Sequence, residues 1–148
     1  MTEGSKIQLE KVILKDVKPY FGGRNVYIDE DETVIVQVVN MDENIQEKRY
    51  DFSLTEELKE LLIKAIINTN FFELSVDENR QEDKEKAFIT IKTKEGRQNT
   101  VIKFEGPENA RFDEMYDTLM YIEHYAEENV IPFYEGAYEI DWIPESFE

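Results

Sequence analysis

Residues 25–40 read NVYIDEDETVIVQVVN. Two runs rich in β-branched and aromatic residues flank four consecutive acids. In an extended chain Val26 and Ile28 share one face and Tyr27 takes the other. Val34, Ile35, Val36, Val38 and Val39 suit a pleated surface. Asp29-Glu30-Asp31-Glu32 is short and polar, and Asp is favoured at turn positions. The stretch therefore predicts a hairpin with strands over 25–29 and 33–40, and hairpins pair antiparallel.

Reading outward in both directions extends the sheet. Upstream, KIQLEKVILK (6–15) places Ile7, Leu9, Val12 and Leu14 among charged residues, and the alternation slips near Lys11. That pattern predicts a strand carrying a bulge. Pro19-Tyr20-Phe21-Gly22-Gly23 predicts a turn or a backbone-tight loop. Downstream, QEKRYDF (46–52) predicts a further short strand. Ser53-Leu54-Thr55-Glu56 has the form of a capping box, with the Ser oxygen on a free backbone N–H and the Glu reaching back. Leu58, Leu61, Leu62, Ala65 and Ile66 then follow at helical spacing as one apolar stripe. Asn68-Thr69-Asn70 ends this helix, and Phe71, Phe72 and Leu74 form an apolar knot.

The pattern then repeats in outline. DENRQEDKEK (77–86) reads as a solvated loop. Phe88 to Ile91 and Val101 to Phe104 flank the turn Lys94-Glu95-Gly96-Arg97, a second hairpin. Gly106-Pro107 opens a second helix, since Pro is tolerated in the first turn. Ala110, Phe112, Met115, Tyr116, Leu119, Ile122 and Ala126 trace its apolar face. Strands joined by short turns, with helices in two places, predict an α+β fold: an antiparallel sheet packed on one face by two helices. Residues 1–129 form a single domain on this reading. Residues 130–148 are an aromatic, acidic C-terminal extension that packs on the domain or on a partner.

The run Pro19-Tyr20-Phe21-Gly22-Gly23-Arg24-Asn25-Val26-Tyr27-Ile28, followed by an acidic turn, hairpin, capped helix, Phe71-Phe72 and second hairpin, resembles a group of small uncharacterised bacterial domains. The resemblance spans roughly residues 12–125. Members tend to carry a Gly in the acidic turn, where this chain has Asp29-Glu30-Asp31-Glu32. The resemblance implies no activity and assigns no functional residue.

Composition excludes several chemistries. The 148 residues contain no Cys and one His, His124, which removes thiol nucleophiles, thiolate metal sites, disulfides and any two-histidine site within one chain. Ser5, Ser53, Ser75 and Ser146 lie outside any Gly-x-Ser-x-Gly elbow. Gly22-Gly23 leads into a strand rather than a helix, and Glu105 and Glu108 flank Gly106-Pro107, so phosphate binding is disfavoured. Asp29 to Glu32 lacks the ligand spacing of a calcium loop. His124 sits late in a helix beside Glu123 and Glu127, where the macrodipole alone accounts for it. No catalytic, cofactor or metal residue is assigned. No signal-like or membrane-spanning run appears in the sequence, so the expected location is the cytoplasm.

Charge supplies the remaining information. Lys and Arg number 17 against 34 Asp and Glu, a net of −17. This disfavours nonspecific nucleic-acid binding and anionic membrane surfaces. Residues 1–106 hold 22 acids and 16 bases; residues 107–148 hold 12 acids and one base, Arg111. Asp113 and Asp117, and Glu123 and Glu127, are like charges at i, i+4, costing about 0.2–0.5 kcal/mol per pair. Arg24, with Tyr20 and Tyr27 nearby in sequence, forms one candidate interaction patch; the alternative is a strand-edge Arg stacked on a Tyr. Tyr134, Tyr138 and Trp142 of the extension form another, either docked on the domain with Ile140 by alternation or held out as partner anchors. The expected function is a non-catalytic acidic protein-binding module, of the inhibitor, immunity or DNA-mimic kind, steered to a basic protein. The alternative is a small carboxylate-based enzyme or a metal- or ligand-binding domain.

Overall fold

A computed structural model of the chain describes residues 7–18, 21–74, 87–102 and 110–147. Among these residues seven strands form one antiparallel sheet: β1 (Leu9–Lys18), β2 (Gly22–Ile28), β3 (Thr33–Val39), β4 (Glu47–Ser53), β5 (Phe88–Thr93), β6 (Gln98–Ile102) and β7 (Tyr134–Gly136). Their order across the sheet is β6-β5-β1-β2-β3-β4-β7. Two helices, α1 (Glu56–Thr69) and α2 (Ala110–Asn129), accompany it. The architecture is the expected α+β layer, with the helices packed against one face. Prolines 19 and 107, Tyr20, residues 77–86, Phe104 and Gly106 lie outside the described residues.

Alternation along each strand builds the core. Val12, Leu14, Val26, Ile28, Val34, Val36, Ile89 and Ile91 point to the helical side and are fully buried. The slip near Lys11 is a register shift between Leu9 and Lys11 in the pairing of β1 with β5. One inserted residue lets Leu9 and Val12 both face the core although they are three apart. Gly22 and Gly23 are already inside β2. Both have positive φ, and a Cβ on Gly23 would run into the backbone carbonyl of Asp16. The glycine pair thus serves close strand approach rather than a loop.

Two local expectations are corrected. The N-cap of α1 is Thr55, whose Oγ1 accepts a hydrogen bond from Leu58 N at 3.1 Å. Ser53 instead ends β4, paired with Thr33, so the sheet ladder claims it before the helix begins. Leu61 is 44% exposed and outside the buried stripe, which runs Leu58, Leu62, Ala65, Ile66 and Thr69. Asn70 closes α1 in the left-handed conformation, and Phe71 turns back into the core.

On α2 the buried positions are Phe112, Met115, Leu119, Ile122, Glu123 and Ala126. Each fully buried Met, Leu or Ile contributes about 1.5–3 kcal/mol. That outweighs the few tenths lost to each like-charged pair, so packing holds this acidic helix in place.

The opposite face of the sheet is polar. Asn25, Gln37, Glu47 and Arg49 are buried there in a continuous row. Asn25 Nδ2 donates to Gln37 Oε1 at 2.8 Å, Gln37 Nε2 to Glu47 Oε2 at 2.8 Å, and Arg49 Nε to the same oxygen at 2.6 Å. The C-terminal segment covers this row. Phe133 N donates to Arg49 O at 2.7 Å, β7 pairs with β4, and Glu139 supplies both a backbone N–H to Glu47 Oε1 and a carboxylate to Arg49.

Candidate functional site

The sequence-derived interaction residues separate into two places. Arg24 alternates with Asn25 and so faces α2. Its Nε lies 3.3 Å from Glu123 Oε1 and 3.2 Å from Glu127 Oε2. Tyr20 lies outside the described residues. Tyr134 and Trp142 are on the other face, where their rings sandwich the Arg49 guanidinium at 3.9 and 4.0 Å. Trp142 also meets Tyr27 edge-on, and Phe147 does the same. Tyr138 is half-buried, and burial, then the nearby Glu47 and Asp141 carboxylates, raise its pKa. Ile140 is 65% exposed. The expected Tyr138–Ile140–Trp142 alternation fails because the chain turns there, with Trp142 N donating to Glu139 O.

These tail aromatics are engaged within the chain itself. Among the described residues an open concave surface lies between the helices. Leu61 of α1 and Ala110, Asp113, Glu114, Asp117, Thr118 and Tyr121 of α2 line an open groove of about 720 Å³. The helix repeat makes it. Residues 113, 117 and 121 form one i, i+4 ridge and 110, 114 and 118 the next. Tyr121 is 59% exposed. The groove thus has apolar surface from Leu61 and Tyr121 and a carboxylate rim from Asp113, Glu114 and Asp117.

Leu61, whose helical spacing predicts a core position, is exposed here, and Tyr121 stands outside the apolar face predicted for α2. The available signal was the spacing: Tyr121 continues the Asp113–Asp117 ridge by one more turn.

A third arrangement closes the other end of α2. Glu123 is wholly buried, and among the described residues neither of its carboxyl oxygens receives a hydrogen bond. Burial pushes its pKa up to about 8, and the neighbouring Glu127 adds to this against the opposing pull of Arg24. Burial acts the same way on Glu127, but hydrogen bonding with Glu123 and the Arg24 guanidinium bring it below its ordinary value. Beside this cluster a cleft of about 370 Å³ is lined by Arg24, Asn40, Asn44, Lys48, Tyr50 and Glu127, among others.

Comparison with protein-family models, with curated proteins and with solved structures returned no match. Among the described residues no helix is long and apolar enough to cross a membrane.

Proposed function

We propose that this chain is a non-catalytic protein-binding module whose α1–α2 groove takes a basic, amphipathic segment of a cytoplasmic partner protein. The observation that carries this reading is a coincidence in space. The part of the chain with 12 acids and one base also contributes the α2 wall of the open groove, where Tyr121 lies beside Asp113, Glu114 and Asp117 and faces exposed Leu61 of α1. Lys and Arg side chains have long apolar stems and cationic heads, so they complement an apolar floor with an acidic rim. The surrounding negative field speeds their encounter.

A fluorescent Lys/Leu helical peptide titrated into the full chain tests the reading. Leu61→Glu and Tyr121→Ala are expected to weaken binding, and so is Asp117→Lys. Glu145→Lys, an equal change in net charge at an exposed tail position, is expected to leave it nearly unchanged. Equal losses from Asp117→Lys and Glu145→Lys, with none from Leu61→Glu, would mean that bulk charge alone attracts the peptide, and the groove reading would fall.

A further inference from the structure

The last two turns of α2 present a mixed donor set. One ligand atom each from Glu123, His124 and Glu127 lie within 4.8 Å of one another. His124 Nδ1 is 3.6 Å from Glu123 Oε1. Glu123 and Glu127 share a helix face by their i, i+4 spacing, and the His124 ring turns in from the neighbouring position.

A second observation sets this group apart from ordinary surface acids. The Glu123 side chain has no solvent exposure, and among the described residues no N–H reaches its oxygens in hydrogen-bond geometry; what faces it is the Arg24 guanidinium at 3.3 Å and the Glu127 carboxylate, with which it can share only its own proton. A buried carboxyl needs a cation or hydrogen bonds to offset the lost hydration. Among the described residues its guanidinium neighbour is Arg24, which approaches through the Nε edge and is shared with Glu127. From β4, Tyr50 faces the same cluster, and Lys48 lines the adjoining cleft. The helix terminus adds negative potential, and its last turn holds no basic residue.

We infer that Glu123, His124 and Glu127 form a binding site for a divalent transition-metal ion, zinc fitting best, with Arg24 as the resident cation that competes with it. One imidazole and two carboxylates match zinc better than calcium or magnesium, which take oxygen donors. Three protein donors leave a fourth position to water. This inference is independent of the α1–α2 groove, which lies further towards the start of the helix.

The test is zinc competition between the full chain and a chromophoric chelator, with a parallel cobalt titration read by visible absorption. The expected result is one equivalent of zinc and an intense cobalt band typical of low coordination number. His124 is exposed, so His124→Ala folds normally and should weaken zinc binding at least about tenfold. Arg24→Gln, which removes the competing cation, should tighten it. If His124→Ala binds zinc as well as the wild type, the site is wrong. Several weak equivalents displaced by millimolar magnesium would equally refute it, since that is the behaviour of scattered surface acids.

Discussion

The guanidinium of Arg49 stacks on Trp142, its central carbon 4.0 Å from the ring centre, and so ties a strand of the sheet to a residue 93 positions later in sequence. Tyr134 stacks on the other side, while Glu47 and Glu139 bind the edges at 2.6 and 2.5 Å. Arg suits this role because its plane stacks while its rim donates. Arg49→Gln would leave Glu47, which is fully buried, without its cation. The expected loss is about 3–5 kcal/mol. Urea unfolding measures it, and limited proteolysis should cut the C-terminal segment faster in the variant. A change under about 0.5 kcal/mol would show that the stack does not hold the segment down.

Tyr27 lies beneath the same segment, and among the described residues its hydroxyl has no hydrogen-bond partner. Tyr27→Phe removes a buried polar group without emptying space, so stability should rise by about 1 kcal/mol at neutral pH. Burial, with Tyr138 and Glu47 nearby, pushes the Tyr27 pKa up to about 12 from 10. A raised folded pKa means that the folded state keeps its proton longer than the unfolded chain. Stability is therefore intact below pH 10 and declines as pH rises from 10 towards 12. Denaturant midpoints across that interval should fall less steeply in Tyr27→Phe. Lower stability of the variant at pH 7 would contradict the missing partner.

Glu32 closes the acidic hairpin turn at φ 63°, in the left-handed region. Asp29 organises this turn, its Oδ1 accepting from Asp31 N at 2.9 Å and Thr33 N at 3.1 Å. A non-glycine residue in this conformation costs about 1–2 kcal/mol. Glu32 also pairs with Lys59 at 2.6 Å, an interaction worth about 0.2–1 kcal/mol at the surface. The two effects separate in a Lys59→Gln background. There, Glu32→Gly should stabilise the protein by about 1 kcal/mol. Thermal or urea midpoints decide this, and a drop would mean that the turn is unstrained.

Gly23 and Gly96 both have positive φ, 140° and 95°, but differ in surroundings. A methyl group at Gly23 would meet the Asp16 carbonyl across the β1–β2 ladder, whereas no described residue lies within 4 Å of one at Gly96. Gly96→Ala should cost roughly 1 kcal/mol, from backbone strain alone. Gly23→Ala should cost at least about 3 kcal/mol, because backbone must move. Equal losses in urea melts would remove the steric argument.

Sequence alone determined the elements whose cause is local. The hairpin over residues 25–40 is set by alternation and an acidic turn, and the α2 face by the spacing of Phe112, Met115, Leu119 and Ile122. The acid excess of the C-terminal third is likewise plain from counting. Only the tertiary structure decided what depends on partners far apart in the chain. It moved the α1 cap from Ser53 to Thr55, because Ser53 is paired with Thr33. It put Arg24 and Arg49 on opposite faces of one sheet and gave each a different set of acids. It opened the groove by bringing Leu61 beside residues far downstream, from Ala110 to Tyr121. Periodicity reports which way a side chain points along its own element. It carries no information about which distant side chain it meets there, since that follows from how the layers pack.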